Sequence, residues 1–273
     1  MRMRKIIFLV FLGISVLLNG CVTLSLRQAN HELADLYRAK SEAIKSEQWE
    51  QEVTVNAALL ALADEAATQG ADKSISEVNR ISFYRIAATA AWQAGDAKVV
   101  MYAADGFSLC TPENYQTVPR DCGMLSVIPD FASVDELTKR IEDIQRRVSG
   151  APNPPTEQEV VQLFDDIKSR IDSLLAKRDP IKKSSAHPEL IQGIDKRTGK
   201  ILCSHLRTVG VLIARVAGDE SAAYRKAKCD DYKLKVEMKK LGFSQQIADC
   251  LPAGDPIKPQ GCQSRFKEGP SEI

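Results

Sequence analysis

Apolar residues recur at intervals of three and four along most of the chain, which is the spacing of one face of an α-helix. The clearest run comprises Val134, Leu137, Ile141, Ile144 and Val148. Further helical runs begin near Leu24, Val53, Ile81, Ala97, Val160, Leu202 and Ser221. No stretch alternates apolar and polar residues convincingly with the period of two that marks a β-strand. The pattern therefore predicts an all-α fold, built of helical hairpins or an irregular helical bundle.

Helix-starting signals occur where Ser or Thr is followed three residues later by Glu, an arrangement that can form a capping box. The pairs are Ser74 with Glu77, Ser133 with Glu136, and Thr156 with Glu159. Each precedes an apolar run and so predicts a helix start. The second run of the chain has Val53, Ala57, Leu60 and Ala63 on one face. Between Asp179 and Lys200 the helical period fails and prolines and glycines intervene, so we expect a long loop there.

A proline-rich segment divides the predicted helices into two groups. Residues 150–156 read Gly-Ala-Pro-Asn-Pro-Pro-Thr, which cannot continue a helix and is typical of a stiff linker. We therefore expect an N-terminal helical domain over residues 21–149. A C-terminal helical region, with a basic bias and disulfides, is expected over residues 157–273.

The first twenty residues have the features of a bacterial signal peptide. Arg2, Arg4 and Lys5 form a basic start, and Ile6 to Leu18 is almost wholly apolar. A helix of that length rises roughly 20 Å, short of the ~30 Å hydrocarbon core of a bilayer. A permanent membrane span is therefore the weaker interpretation, and we expect residues 1–20 to be removed.

The residues Leu18 to Cys21, Leu-Asn-Gly-Cys, resemble the lipobox of bacterial lipoproteins. This resemblance implies that the chain is cut before Cys21 and that lipid is attached to this cysteine. Such proteins carry several acyl chains, and each buried CH₂ contributes about 0.8 kcal/mol, so the anchor would be stable. Val22 stands where an aspartate commonly retains lipoproteins at the inner membrane. The resemblance therefore implies the periplasmic face of the outer membrane, with the inner membrane or the cell surface as alternatives.

The charge balance does not indicate a nucleic-acid partner. Without the signal peptide the chain has 34 Lys and Arg against 36 Asp and Glu, so it lacks the net basic charge of such proteins. The distribution is uneven, with 16 basic and 24 acidic residues over residues 22–177 and 18 basic and 12 acidic over residues 178–273. Such asymmetry can mark a surface that meets anionic lipid, peptidoglycan or an acidic partner. Solvated helix faces are the simpler explanation.

Six cysteines follow Cys21, an even number in a compartment that permits disulfides. They are Cys110, Cys122, Cys203, Cys229, Cys250 and Cys262. Cys110 and Cys122 bracket a turn-rich segment, and Cys250 and Cys262 bracket a Pro/Gly-rich one. Cys203 and Cys229 should lie at similar depths on two helices that turn near Gly218, about 6 Å apart in helix rise. We therefore expect three local disulfides that join these cysteines in sequence order.

The segment from Phe83 through Gly95 and Asp96 to Pro112 resembles a tetratricopeptide (TPR) unit. The matching features are small residues at Ala88 and Ala91, where two helices would cross closely, a Gly-Asp turn, and a proline after the second helix. The resemblance covers residues 79–112 and implies stacked helical hairpins that present a groove to a protein partner. No second copy is visible at the family spacing of about 34 residues. A generic Ala-rich helical hairpin explains the same residues equally well.

The common catalytic signatures are absent, since the chain has no Gly-rich phosphate loop, no G-x-S-x-G and no H-E-x-x-H motif. His31, His187 and His205 are scattered and no C-x-x-C occurs, so we expect neither a metal nor a cofactor. His205 shares a helix face with Leu202 and Leu206. This placement favours a satisfied core or rim histidine over a catalytic base.

One group of carboxylates could in principle serve glycoside chemistry on the cell wall, which needs a pair of acids. Its members are Glu157, Glu159, Asp165, Asp166 and Asp172. They lie mostly on one polar helix face together with Lys168 and Arg170, so a solvated, charge-paired face is the better interpretation. Trp49 and Trp92 are likewise interpreted as packing residues rather than a platform for sugars.

These observations favour a non-enzymatic function. We expect a lipid-anchored helical interaction or adaptor module that contacts membrane lipid through acylated Cys21 and a protein partner in the cell envelope. The alternative is an envelope enzyme of unrecognised type that acts on the cell wall. A cleft with converging carboxylates or a His–acid pair would favour the enzyme, and a smooth apolar groove would favour the adaptor.

Overall fold

The computed structural model describes residues 24–150, 152–183, 188–260 and 262. All regular structure in these residues is helical, and no strand occurs among them, so the all-α prediction is confirmed. The chain divides into two compact units, unit 1 (Met1–Leu109) and unit 2 (Cys110–Ile273). Each unit has its own core. No helix within the described ranges combines the length and apolar character needed to cross a membrane.

Unit 1 is built around a central helix. Its helices are α1 (Leu26–Lys45), α2 (Trp49–Ala71), α3 (Glu77–Ala94) and α4 (Lys98–Ser108). Helix α3 contacts all three others and is buried on most of its surface. Four alanines in α3 keep that surface small: Ala87, Ala88, Ala90 and Ala91 are fully buried. Helix α2 approaches equally closely at Gly70, where an added Cβ would lie 2.8 Å from the ring of Tyr84.

The turns of unit 1 have local causes. Helix α3 begins two residues later than the capping signal predicted. Its N-cap is Ser76 rather than Ser74, because the Ser76 hydroxyl accepts a hydrogen bond from the backbone N–H of Asn79. It ends at Gly95, which has a φ of 74°, a conformation that glycine adopts without strain. Backbone bonds from Gly95 to Trp92 and from Asp96 to Ala91 form a Schellman motif. The predicted hairpin of α3 and α4 is therefore present.

Unit 2 is assembled on a long central helix. Its helices are α5 (Pro112–Thr117), α6 (Pro119–Val148), α7 (Glu157–Lys183), α8 (Pro188–Asp195), a π-helical segment (Lys196–Leu202), α9 (Cys203–Ala217) and α10 (Ala222–Lys240). Helix α7 contacts α6, α8, the π-helical segment and α9. Its buried apolar residues are Val160, Leu163, Phe164, Ile167, Ile171, Leu174, Leu175 and Ile181. This seam follows the predicted helical period.

The helix start predicted at Ser133 is wrong. Helix α6 begins fourteen residues earlier, at Pro119, and continues without a break through Pro129 and Ser133. Proline at the first helical position is favourable because its missing N–H would be unpaired there. Pro129 is tolerated in the interior because the residues around it are buried: Val127, Ile128 and Phe131 are all in the core. Tertiary packing has overridden the local capping signal.

The predicted linker over residues 150–156 is a hairpin connection inside unit 2. The contact boundary between the units lies instead at Leu109 and Cys110. Thr156 and Glu159 form the predicted capping box, because each side chain bonds the other's backbone N–H, at 3.2 and 3.1 Å. Pro155 before the cap and Val160 in the first turn are both buried, as in a hydrophobic staple. The end of the segment is therefore fixed to the start of α7, although Pro155 is its one buried residue among those described.

The long loop predicted between Asp179 and Lys200 is also wrong, because most of this region is helical. Helix α7 runs through Pro180 to Lys183, and α8 and the π-helical segment follow. Arg178 holds the end of α7 to α8, with two bonds to the Asp195 carboxylate at 2.6 and 3.2 Å. Gly199 lies so close to the C-terminal tail that an added Cβ would approach the Ile247 carbonyl to 2.5 Å. These helices are therefore stabilised by contacts between residues far apart in sequence, although the local sequence pattern does not favour a helix.

All six cysteines form disulfides, but only one predicted pair is correct. Cys110 bonds Cys122 as expected. Cys203 bonds Cys250, and Cys229 bonds Cys262, so the pairings of Cys203 with Cys229 and of Cys250 with Cys262 are wrong.

The depth of Cys203 along the α9–α10 hairpin explains this error. Its Sγ lies 3.9 Å from Sδ of Met238, nine residues beyond Cys229 and therefore about 13 Å farther along α10. The tail after α10 buries Phe243, Ala248 and Leu251. That burial brings the tail cysteines back to the helices.

Peptide mapping without reduction should recover the three observed pairs. Removing the Cys203–Cys250 bond with the double change Cys203→Ser and Cys250→Ser should lower the free energy of unfolding by about 4 kcal/mol, because it closes the longest loop. The matched pair Cys110→Ser and Cys122→Ser should cost about 3 kcal/mol, because its loop is shorter. Denaturant titration measures both values. A linked peptide containing Cys203 and Cys229 would contradict the structure.

Candidate functional site

Three exposed large apolar side chains lie at the tip of the α1–α2 hairpin. Trp49 is 73 % exposed, Val53 70 % and Ile44 54 %. We call these three residues the hairpin tip. Tyr37, two turns before Ile44 on α1, is also exposed. Exposed aromatic and aliphatic residues that lie together are typical of interaction sites rather than of ordinary surface.

The hairpin tip projects because α3 ends early. The Nζ of Lys40 donates to the carbonyl of Gln93, which places the last turn of α3 beside Lys40. Helix α1 continues from there to Lys45, and α2 begins at Trp49. The turn between them is closed by Glu47, whose φ is 55°, and by capping bonds of Ser46. The tip therefore extends beyond the end of the central helix of unit 1.

Helix α2 is apolar on two faces, which the sequence pattern did not resolve. The predicted face of Val53, Ala57, Leu60 and Ala63 contains only one fully buried residue, Ala63. The face that packs in the core carries Val55, Leu59, Leu62, Ala63 and Ala66. Because both faces have helical spacing, the period alone could not decide which one is buried. The prediction that Trp49 is a packing residue is wrong, because its side chain is exposed at the start of α2. Trp92 is half-buried at the end of α3.

The charges near the hairpin tip are mostly acidic. Within residues 41–53, Glu42, Glu47, Glu50 and Glu52 flank it, against the one cation Lys45, and Lys40 lies one turn earlier on α1. All six side chains belong to residues that are exposed or half-buried. An apolar centre with a charged rim is the usual composition of a protein–protein interface. The acidic rim would complement a partner with basic groups around an apolar pocket.

A polar groove of about 570 Å³ lies between the end of α6 and the start of α7. Its charged members other than Lys139 are held in ion pairs. Arg147 donates two hydrogen bonds to the Glu159 carboxylate, at 2.8 and 3.0 Å. Arg140 donates one to Asp166 at 2.7 Å. The hydrogen bonds from Arg147 and from the Thr156 backbone lower the pKa of Glu159 to about 2. Glu159 is thus ionised near neutral pH and is unsuited to donate a proton as a general acid.

The other carboxylates singled out in the sequence are dispersed along α7. Asp165 bonds Lys226 at 2.8 Å, and Asp172 bonds Lys168 at 2.7 Å. Glu157 is exposed in the first turn. The interpretation of these residues as a charge-paired face therefore agrees with their contacts. The structure does not bring them together as a pair of acids.

His205 lies at the rim of the unit 2 core, as its helix face predicted. Its Nε2 is 2.9 Å from the hydroxyl of Thr138. That hydroxyl donates to the Val134 carbonyl at 2.9 Å, so it accepts from the histidine. Burial lowers the pKa of His205, although Glu142 opposes the shift in part. His205 is thereby held in its neutral form by packing and has a hydroxyl, not a carboxylate, as its hydrogen-bond partner.

A buried ion cluster around Asp130 was missed by the sequence reasoning. Asp130 on α6 is 1 % exposed, and its carboxylate accepts from Lys177 at 2.6 Å, from Ser173 at 3.2 Å and from Arg170. Lys177 also donates to the Ser126 carbonyl at 2.8 Å, in the turn before Pro129. Interior proline disturbs the carbonyls of that turn, and Lys177 bonds one of them. The only signal in the sequence is an aspartate within the apolar run from Val127 to Phe131.

The predicted anchor residue, Cys21, and the predicted signal peptide over residues 1–20 lie outside the described residues. The six later cysteines are joined in disulfides and so offer no thiol. No group of three or more His, Cys, Asp or Glu side chains in the described parts of the chain is arranged to hold a metal ion.

Comparison of the chain with protein-family models, with curated proteins and with solved structures finds no match. The TPR resemblance of residues 79–112 therefore stays a prediction. Function has to be argued from the surfaces of the two units alone.

The substitution Asp130→Asn should lower the free energy of unfolding by roughly 2 kcal/mol, because it removes the buried counter-charge of two half-buried cations and weakens their hydrogen bonds. Lys177→Met is the matched control, since Arg170 still neutralises Asp130 in that variant. Its loss should be clearly smaller. Denaturant unfolding monitored by circular dichroism gives both values. Equal effects of the two changes would mean that the cluster contributes only packing.

Proposed function

We propose that this protein is a lipid-anchored lipoprotein of the bacterial cell envelope that acts by binding a protein partner rather than by catalysis. The observation that carries the proposal is the exposed hairpin tip of unit 1, with its apolar centre and acidic rim. The basic start, short apolar segment and lipobox-like residues ending at Cys21 support the anchor. The outer membrane, facing the periplasm, is the proposed location.

The anchor would hold unit 1 close to the membrane. Only four residues separate Cys21 from the first residue of α1, Leu26, so the five Cα–Cα steps between them span at most about 18 Å. Leu24 is already buried, which shortens the free part further. Helix α1 has 20 residues and is therefore about 30 Å long. The hairpin tip lies at its far end.

The acidic rim argues that the hairpin tip meets protein rather than an anionic lipid surface. Carboxylates near such a surface are repelled, whereas cations are attracted. Trp is among the residues that contribute most to binding energy when they enter a partner's pocket. The proposed partner surface has an apolar pocket for Trp49, flanked by Lys or Arg.

The alternative, an enzyme acting on the cell wall, would have its best support in the groove between α6 and α7. The carboxylates there are held by Arg140 and Arg147. No observation on the described residues favours catalysis over binding, so the adaptor remains the single proposal.

The acylation of Cys21 is tested by mass spectrometry of the mature amino terminus. We expect the peptide to begin at Cys21 and to carry the mass of attached lipid, because the signal peptide is removed in front of the modified cysteine. The variant Cys21→Ala should block this processing. An unmodified peptide that begins before Cys21, or a wild-type protein recovered in the soluble fraction, would contradict the anchor.

The binding role of the hairpin tip is tested by photo-crosslinking in cells. A photoreactive amino acid at Trp49 or at Val53 should give a protein adduct of discrete mass, whereas one at Thr68, exposed on the same helix several turns away, should not. Charge reversal of Glu47, Glu50 and Glu52 to Lys should reduce the adduct several-fold. Crosslinks to phospholipid, or equal yields at all three sites, would contradict the proposal.

A further inference from the structure

Helix α9 exposes a row of cations on one face. Arg207 and Arg215 lie on this face with Ser204 before them and Val211 between them, and all four are exposed. Their spacing of three, four and four residues keeps them on one side of an α-helix. Lys200, exposed in the preceding turn, continues the row. We call Lys200, Ser204, Arg207, Val211 and Arg215 the α9 stripe.

The cations of the α9 stripe form no ion pair among the described residues, although Asp219, one turn after Arg215, lines a surface pocket together with Arg215 and Val211. Neither Lys200, Arg207 nor Arg215 takes part in an ion pair there. Between Lys196 and Ala217 the chain contains five Lys or Arg and no Asp or Glu.

The neighbouring helix α10 is different, because its cations are mostly paired. Lys226 bonds Asp165 and Lys235 bonds Asp231, at 2.8 and 2.5 Å. Lys239 reaches the Asp255 carboxylate at 3.5 Å. The α9 stripe is therefore a distinct surface and not simply part of a uniformly basic helical region.

The cations of the α9 stripe are too far apart to bind one small anion together. Arg207 and Arg215 are eight residues apart on α9 and therefore about 12 Å apart along the helix. Such spacing suits several separate phosphates on a surface, each near one cation. Val211, which is 49 % exposed in the middle of the row, offers an apolar group at the level where headgroups meet acyl chains.

We infer that the α9 stripe lies on the phosphate layer of an anionic phospholipid membrane. This inference rests on the lipid anchor proposed above, which would tether the chain to a bilayer. Each Lys or Arg close to an anionic leaflet favours the bound state about fivefold. Three such cations would select the face of unit 2 that meets the membrane, while the acyl chains provide the attachment itself.

The test uses the mature protein as isolated from the cells that make it, added to preformed vesicles. One set is pure phosphatidylcholine and the other also contains phosphatidylglycerol. An arginine-specific reagent, followed by mass mapping, reports the modification rates of Arg207 and Arg215. Arg38 and Arg146, whose side chains are 70 % and 71 % exposed, serve as internal references. We expect the stripe arginines to react at least fivefold more slowly on the anionic vesicles, with the references unchanged and the difference lost at high salt.

A variant pair separates surface charge from the specific face. The double change Arg207→Glu and Arg215→Glu should abolish protection of Lys200 against acetylation on anionic vesicles. The control Arg38→Glu with Arg146→Glu has the same net charge and should leave that protection intact. Circular dichroism verifies that both variants are folded. Equal behaviour of the two variants would overturn the inference.

The source of phosphate is decided by two further arms on pure phosphatidylcholine vesicles, with inorganic phosphate or with polyphosphate in solution. Protection in either arm equal to that on anionic vesicles would assign the stripe to a soluble phosphate ligand and overturn the membrane assignment. The same digests report whether Cys21 is acylated. An acylated chain with an unprotected stripe refutes only this inference. An unacylated chain with a protected stripe refutes the anchor and leaves the stripe supported.

Discussion

The ion cluster of Asp130 decides how α6 lies against α7, and the rest of unit 2 is assembled on that pair of helices. A buried carboxylate is tolerated only where cations and hydrogen bonds surround it, so α6 and α7 must meet where Arg170, Ser173 and Lys177 can reach it. That register also places the apolar seam of α7 against its neighbours. Helices α8 and α9 and the π-helical segment then pack on the same helix, and Arg178 fixes α8 through Asp195.

The two units are stabilised by different means. Unit 1 has no cysteine between Val22 and Leu109, and its stability rests on close helix packing around the alanines of α3 and on polar links such as Asn30 with Arg85, 2.6 Å apart. Asp64 adds another link, because it accepts from Lys98 and Tyr102 and so joins α2 to α4. Unit 2 includes a tail with little regular structure. Its two long-range disulfides tie this tail to α9 and α10 and add to the burial of Phe243, Ala248 and Leu251.

The proposed functions follow from surfaces with opposite character. The hairpin tip is apolar with an acidic rim, and the α9 stripe is basic with one exposed valine. The first would suit a protein surface with cations and the second a phosphate surface. An anchored adaptor would use both kinds of contact, because the stripe would orient unit 2 on the membrane while the hairpin tip binds a partner from the periplasm. The uneven distribution of charge along the sequence is thus better described by these two surfaces than by the net charge of either unit.

The sequence by itself determined the features that depend on neighbouring residues. The helical class, the seam of α7, the capping box of Thr156 and Glu159 and the turn at Gly95 follow from the period of apolar residues and from hydrogen bonds within a few positions. The tertiary structure decided the rest. It placed Pro129 and Pro180 inside helices, chose which face of α2 is buried, surrounded Asp130 with cations and joined Cys203 to Cys250. Each of these features depends on contacts between residues that are distant in sequence. The free energy of those contacts outweighs the local conformational preferences that the sequence pattern reveals.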